Sequence, residues 1–330
     1  MPGDAVFGFP KYPEFRLGQP RFPQETFLGR WLHFLEVIDP STLFTSKKQL
    51  DESLTLLNNY KSGQLSSTVS NEQLWKAQKI KQAMIHPDTG EKIFMPFRMS
   101  GFVPFGSPMV VGLLLPNPSL GSAVFWQWLN QSHNACVNYA NRNATKHTPT
   151  SKFVQGYIGA VTTAVGIAVS LSLLLKKSEK MAPATKAFIK RFVPLPAVCA
   201  ASTCNALLMR VHEVWEGIEV YDTNGVIVGT SKIAATRAVR DTAITRAFLP
   251  TPIFLVPPII MNLVEKTRFL KRRPYLHLPI NAVVCTATFA IALPIAIALF
   301  PQESKISRTD LEPELQSSTT EEVLLYNKGL

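Results

Sequence analysis

The chain has 330 residues, 46% of them hydrophobic, and a formal net charge of +11. A soluble chain of this length would form one large domain or two, yet the first hundred residues are polar and the apolar ones crowd between 101 and 300. Lys and Arg gather in short clusters without an RNA-binding or helix-turn-helix signature, which argues against nucleic acid as a partner and for membrane-flanking loops.

Residues 1–30 are rich in Pro, Gly and Phe without periodicity, and read as an extended N-terminal arm. They contain no apolar h-region, so no secretory signal is expected. Asp4, Glu14 and Glu25 make a poor amphipathic transit peptide. The Asn143-Ala144-Thr145 sequon is expected to be unused.

A helix is predicted from Thr26 to Ile38, ended by Asp39-Pro40 because the residue before proline avoids the α region. Ser46 to Gln49 and Ser70 to Gln73 have the spacing of capping boxes and open two amphipathic helices, about 47–60 and 71–85. Gly63 stops the first and Pro87 the second. Residues 31–100 thus form a soluble helical module, followed by a membrane domain over 101–300 and a tail over 301–330.

His86-Pro87-Asp88-Thr89-Gly90 reads as a turn, and its spacing matches no metal motif. Gly101 to Leu115 is apolar but short for about 30 Å of hydrocarbon. Phe153 to Leu175, Phe192 to Met209, Phe248 to Val264 and Leu278 to Phe300 supply further spans, several of them containing proline. Proline in such spans fits a broken transporter helix that meets a solute, and equally a helix repacked against its neighbours.

Basic residues fill the loops at 176–191 and 266–273, whereas 210–247 balances five bases against five acids. Five spans place both basic loops beside the N-terminal module and the tail opposite, in line with the positive-inside rule. The fold class expected is all-α: a multi-pass bundle of about five spans, plus a partly embedded polar helix at 122–139.

That polar helix carries the residues singled out for function. Asn130, Asn134 and Asn138 sit at i, i+4 and i+8, with Gln131 and His133 beside them. Amides at membrane depth need partners, water or a solute. They serve equally as interhelical glue and as a polar lining that binds carboxylate, ammonium or hydroxyl groups. Arg98, Arg142, Arg191, Arg210 and Arg246 lie near span ends, and Arg142 and Arg246 are the two assigned to an anionic solute.

Glu213, Glu216 and Glu219 form an acidic cluster before a predicted hairpin, Val220 to Val228, turning at Asp222-Thr223-Asn224-Gly225. Cys136, Cys199, Cys204 and Cys285 fit no zinc or thioredoxin spacing and read as small membrane residues. Enzyme motifs are missing, so no catalytic residue, cofactor or resident metal is assigned.

His86-Pro87-Asp88-Thr89, Phe97-Arg98-Met99-Ser100, Trp128 through Ala135 and the terminal Tyr326-Asn327-Lys328-Gly329-Leu330 together resemble the sideroflexin family. The resemblance runs from about Gly18 to the last residue. It implies a multi-pass protein of the mitochondrial inner membrane that carries small metabolites: citrate, or amino acids such as serine. On this reading the N-terminal module faces the matrix and the tail faces the intermembrane space. The partners are a metabolite and the lipid bilayer, with the oligomeric state unspecified. The alternative is a non-transporting scaffold or iron-handling protein that supports iron-cofactor metabolism.

Overall fold

The computed structural model describes residues 5–87, 89–115, 119–141, 150–182, 185 and 194–328. After a short hairpin, β1 (Ala5–Val6) with β2 (Phe9–Pro10), come α1 (Phe27–Val37), α2 (Lys47–Lys61) and α3 (Asn71–Met84). Both predicted capping boxes are formed, each serine accepting from the N3 backbone while the N3 glutamine returns the bond. Helix α1 starts at Thr26, whose hydroxyl accepts from Gly29 N, and stops one residue before Asp39-Pro40.

The arm is extended but firmly docked. Phe15 is 2% exposed and lies edge-on between Tyr60 and Trp75, with centroids 4.9 Å from each. Trp75 Nε1 donates to Pro13 O and Tyr60 Oη to Phe15 O, both at 2.9 Å. Gln78 bonds Gly18 N and Gln19 O at 2.8 Å. Burying one such phenyl ring contributes roughly 1.5–3 kcal/mol, and that burial is what aperiodic aromatics in a Pro-rich arm provide.

The bundle consists of α4 (Phe102–Leu113), α5 (Leu120–Ala140), α6 (Thr150–Ser178), α7 (Pro194–Glu216), α8 (Lys232–Phe248), α9 (Pro250–Glu265), the short α10 (Arg268–Arg272) and α11 (His277–Ile297). Three stretches are long and apolar enough to cross a membrane: Phe153–Ser178, Lys232–Glu265 and Pro274–Ile297. Only 11% of the most apolar window of α6 is buried inside the protein, so the rest needs a non-aqueous environment. Helix α4 has 12 residues and spans about 18 Å at 1.5 Å per residue.

Core contacts fix the helix directions. Phe102 and Val103 at the start of α4, Ile253 near the start of α9, Val137 near the end of α5, and Phe289, Ala292 and Leu293 in the second half of α11 share one cluster with Ile38. So α4 and α9 begin where α5 and α11 end. Tyr139 and Phe153, with ring centroids 4.8 Å apart, turn the chain back from α5 into α6.

Two expectations are corrected here. The N-terminal module and the tail were expected on opposite sides, but α1 packs beside the end of α11 from which the tail departs. Arg30 of α1 donates through Nε to Ala298 O at 2.9 Å, just past the end of α11. It also donates through Nη1 to Gln24 O and Glu25 O at 3.0 and 3.1 Å. A buried cation at a helix C-terminus meets carbonyls that have no partner within the helix, and this places α1 beside the start of the tail.

The fold is mostly helical, as expected, but it is not all-α. The predicted hairpin exists as β3 (Ile218–Tyr221) and β4 (Ile227–Ser231), and the tail adds β5 (Glu303–Ser307), α12 (Pro313–Ser318) and β6 (Val323–Asn327). They form one antiparallel sheet in the order β4-β3-β6-β5. Val220 pairs with Tyr326 and Ser304 with Tyr326 on its other side. Val220, Ile306, Leu324 and Tyr326 fill its core against Ala234 and Ala238 of α8, a helix in a stretch expected to be loop around the hairpin.

The tail then grips α8 at its start and at its middle. Glu312 Oε1 accepts from Lys232 N and Ile233 N at 2.7 and 3.0 Å, capping the helix. Burial raises the Glu312 carboxyl, but its own backbone N–H, the Ser231 hydroxyl and the Ile233 and Lys232 amides together outweigh it and leave it below its ordinary value. Further along, Lys328 Nζ pairs with Asp241 at 2.5 Å.

Candidate solute-binding site

Helix α5 opens at Ser119, whose hydroxyl accepts from Ser122 N at 3.1 Å. Its buried residues are not the asparagine stripe but Gln131 and Ala135 on one side and His133 and Val137 on nearly the opposite side. Asn130, Asn134 and Asn138 are half-buried along its flank.

The amide groups divide into two sets. Gln131 Oε1 accepts from Asn205 Nδ2 of α7. His133 Nε2 hydrogen-bonds Pro96 O at 3.1 Å, and its ring stacks on Phe102 at 5.8 Å. Asn141 Nδ2 donates to Phe97 O and Val137 O, both at 2.8 Å. These three residues tie helices and connecting segments together, the glue reading. Asn130 and Asn134 make no side-chain hydrogen bond among the described residues, and Asn138 Oδ1 meets only Arg246 Nη2, at 3.5 Å.

Arg246 lies two residues before the end of α8. One turn earlier, Thr242 Oγ1 accepts from Arg210 Nη1 at 2.7 Å. Arg210 is neutralised by Glu213 through two bonds of 2.9 and 2.6 Å. Arg246 has no carboxylate partner among the described residues. A half-buried guanidinium facing an amide, with no acid to neutralise it, is suited to a carboxylate-bearing solute.

The structure therefore brings together Asn138 and Arg246 of the predicted set, and ties Gln131 and His133 into packing contacts. Arg142 and Arg191 lie outside the described residues, as do Asp88 and the Asn143-Ala144-Thr145 sequon. Asn205 was missed by sequence reasoning, although a lone asparagine inside the apolar 192–209 run is a signal of an intramembrane polar contact. His86 sits in the predicted turn, its Nδ1 accepting from Thr89 N at 3.3 Å. No cluster of three or more His, Cys, Asp or Glu suited to a metal occurs among the described residues. All four cysteines are free thiols.

Apolar helices that alternate in direction, with outward faces left for lipid and an inner layer of amides and arginines, define a multi-pass helical membrane protein. The chain belongs to the sideroflexins, whose family model matches residues 16–330. It is 60% identical to sideroflexin-5 of Rattus norvegicus over 318 residues, 96% of this chain and 93% of that protein. Sideroflexin-5 of Homo sapiens is likewise 60% identical, over 96% of this chain and 94% of its own length. Sideroflexin-3 of Homo sapiens is 38% identical, over 96% of this chain and 98% of its own length. No solved structure matches.

Proposed function

We propose that this protein is a mitochondrial inner-membrane carrier of small carboxylate-bearing metabolites, citrate or an amino acid such as serine. The observation that carries the reading is Arg246, uncompensated by any acid among the described residues and facing Asn138 on the polar helix. Membership of the sideroflexins supports it. In this reading a substrate carboxylate takes the free donors of Arg246, and Asn130, Asn134 and Asn138 line its path.

Liposomes containing the purified protein should take up labelled citrate, serine, alanine or cysteine. Arg246→Gln should lower that flux about tenfold or more, the scale of a lost charge-assisted hydrogen bond. Asn134→Ala should impair it with normal protein abundance. Unchanged flux in both variants, with normal folding, would remove the stripe as a lining.

The same reading includes a membrane topology of six crossings, α4, α5, α6, α7, α9 and α11. Support comes from the core cluster that joins the ends of α5 and α11 to the starts of α4 and α9. Lys176 and Lys177 in the last turn of α6, Lys180 just after it, and Lys266 to Arg273 after α9 then share the end away from the N-terminal module. By the positive-inside rule that basic end faces the matrix, which puts the module and the tail in the intermembrane space. Protease added to mitochondria with a ruptured outer membrane should clip both together. Cleavage of only one would rule the arrangement out.

A further inference from the structure

The segment from Phe97 to Gly101 joins the N-terminal module to α4, and it contains two polar groups whose needs the described residues do not meet. Arg98 is 4% exposed. Its Nε donates to Ile93 O at 2.9 Å, and no ion pair or other side-chain bond engages it among the described residues. Arg30 is almost as enclosed, at 8%, yet it donates to three backbone carbonyls. A guanidinium has five donors, so both Nη groups of Arg98 are left for something else. Ser100, two residues on, is fully buried, and its Oγ has no partner.

Such a charge is costly to bury alone, and a counter-ion is the usual remedy. The segment is also held in place. His133 of α5 and Asn141 at its end pin Pro96 and Phe97 through their carbonyls, and Gly101 N bonds Arg98 O at 2.9 Å. The arginine is therefore positioned before any ligand arrives, which is what a bidentate anion site requires.

We propose that Arg98, assisted by the Ser100 hydroxyl, binds a carboxylate or phosphate group at the mouth of the first apolar helix. The inference does not rest on the carrier reading, since Arg98 is distinct from Arg246 and binding is measured without flux. A soluble metabolite and a phospholipid headgroup offer the same oxygens, and the experiment separates them.

The full chain is placed in nanodiscs of neutral phosphatidylcholine, or of the same lipid with an anionic phospholipid added. Thermal unfolding is followed in both, with and without citrate or inorganic phosphate, and affinity is measured by calorimetry. Wild-type protein should be stabilised by a soluble anion, by anionic discs, or by both. The arm that responds identifies the source. Arg98→Gln should weaken binding about tenfold or more, Arg98→Lys should weaken it less because the charge stays and the fork is lost, and Ser100→Ala should have a smaller effect. If Arg98→Gln does not fold, the lysine variant carries the comparison. No stabilisation of the wild type in any arm, or an Arg98 variant that responds as the wild type does, overturns the site. Binding with no flux of citrate, serine, alanine or cysteine would refute the carrier reading and leave this one standing.

Discussion

Replacing Lys328 by methionine is expected to destabilise the protein by about 3 kcal/mol, the lower end of what breaking a buried ion pair costs. The side chains of Lys328 and Asp241 are 7% and 9% exposed and 2.5 Å apart. Removing the ammonium leaves a carboxylate enclosed between α8 and the end of the tail. Arg240 also reaches Asp241, at 3.1 Å, but its side chain is 66% exposed and compensates only in part. The ammonium also sits 4.9 Å from the centre of the Phe300 ring, so the end of the tail would lose this contact with the segment just after α11 as well. Thermal unfolding in detergent should show the drop. Adding Asp241→Asn to Lys328→Met should recover much of it, because the penalty lies in the unpaired charge. A Lys328→Met protein that melts with the wild type would mean that the tail is held by its strands alone.

That latch lay outside the sequence reading, and the reason is range. Features set by residues within a few positions were legible: both capping boxes, the end of α1 before proline, the Asp222 to Gly225 turn and the apolar helices. The strands of the tail alternate as strands should, with Ser304 and Ile306 buried in one and Leu324 and Tyr326 in the other. Their partner, β3, lies about a hundred residues earlier, and nothing local names it. Helix α8 was hidden by its small contact face, Ala234, Ala235 and Ala238, which hardly registers as apolar periodicity.

The site divided in the same way. The helical spacing of Asn130, Asn134 and Asn138 correctly put them on one flank of α5, and Arg246 was singled out. Which amides would be consumed by packing was decided by α7 and by the segment before α4. Asn205 takes Gln131, and Pro96 takes His133. The side proposed for the N-terminal module turns on whether α5 crosses. Charge counting favoured partial embedding, whereas the contacts of α5 run from Trp126 beside Gly112 to Asn141 beside Phe97.

The Gly112–Trp126 approach carries the second large expected effect. A Cβ built on Gly112 would lie 2.1 Å from the indole of Trp126, so alanine there forces α4 and α5 apart. Overpacking of this kind costs about 1–3 kcal/mol. The functional loss should exceed the stability loss, because α5 carries Asn138 and the 3.5 Å contact with Arg246 is already long. Flux in liposomes should therefore fall severalfold in Gly112→Ala while the protein still folds, on the view that small misplacements in a binding site are amplified. Trp126→Leu in the same chain makes room for the methyl group and should restore both flux and melting temperature toward those of Trp126→Leu alone. A double-mutant cycle tests this directly: coupling between the two positions supports the close approach as the element that positions α5, and strict additivity would show that α5 is placed by its contacts with α6 and α7 instead.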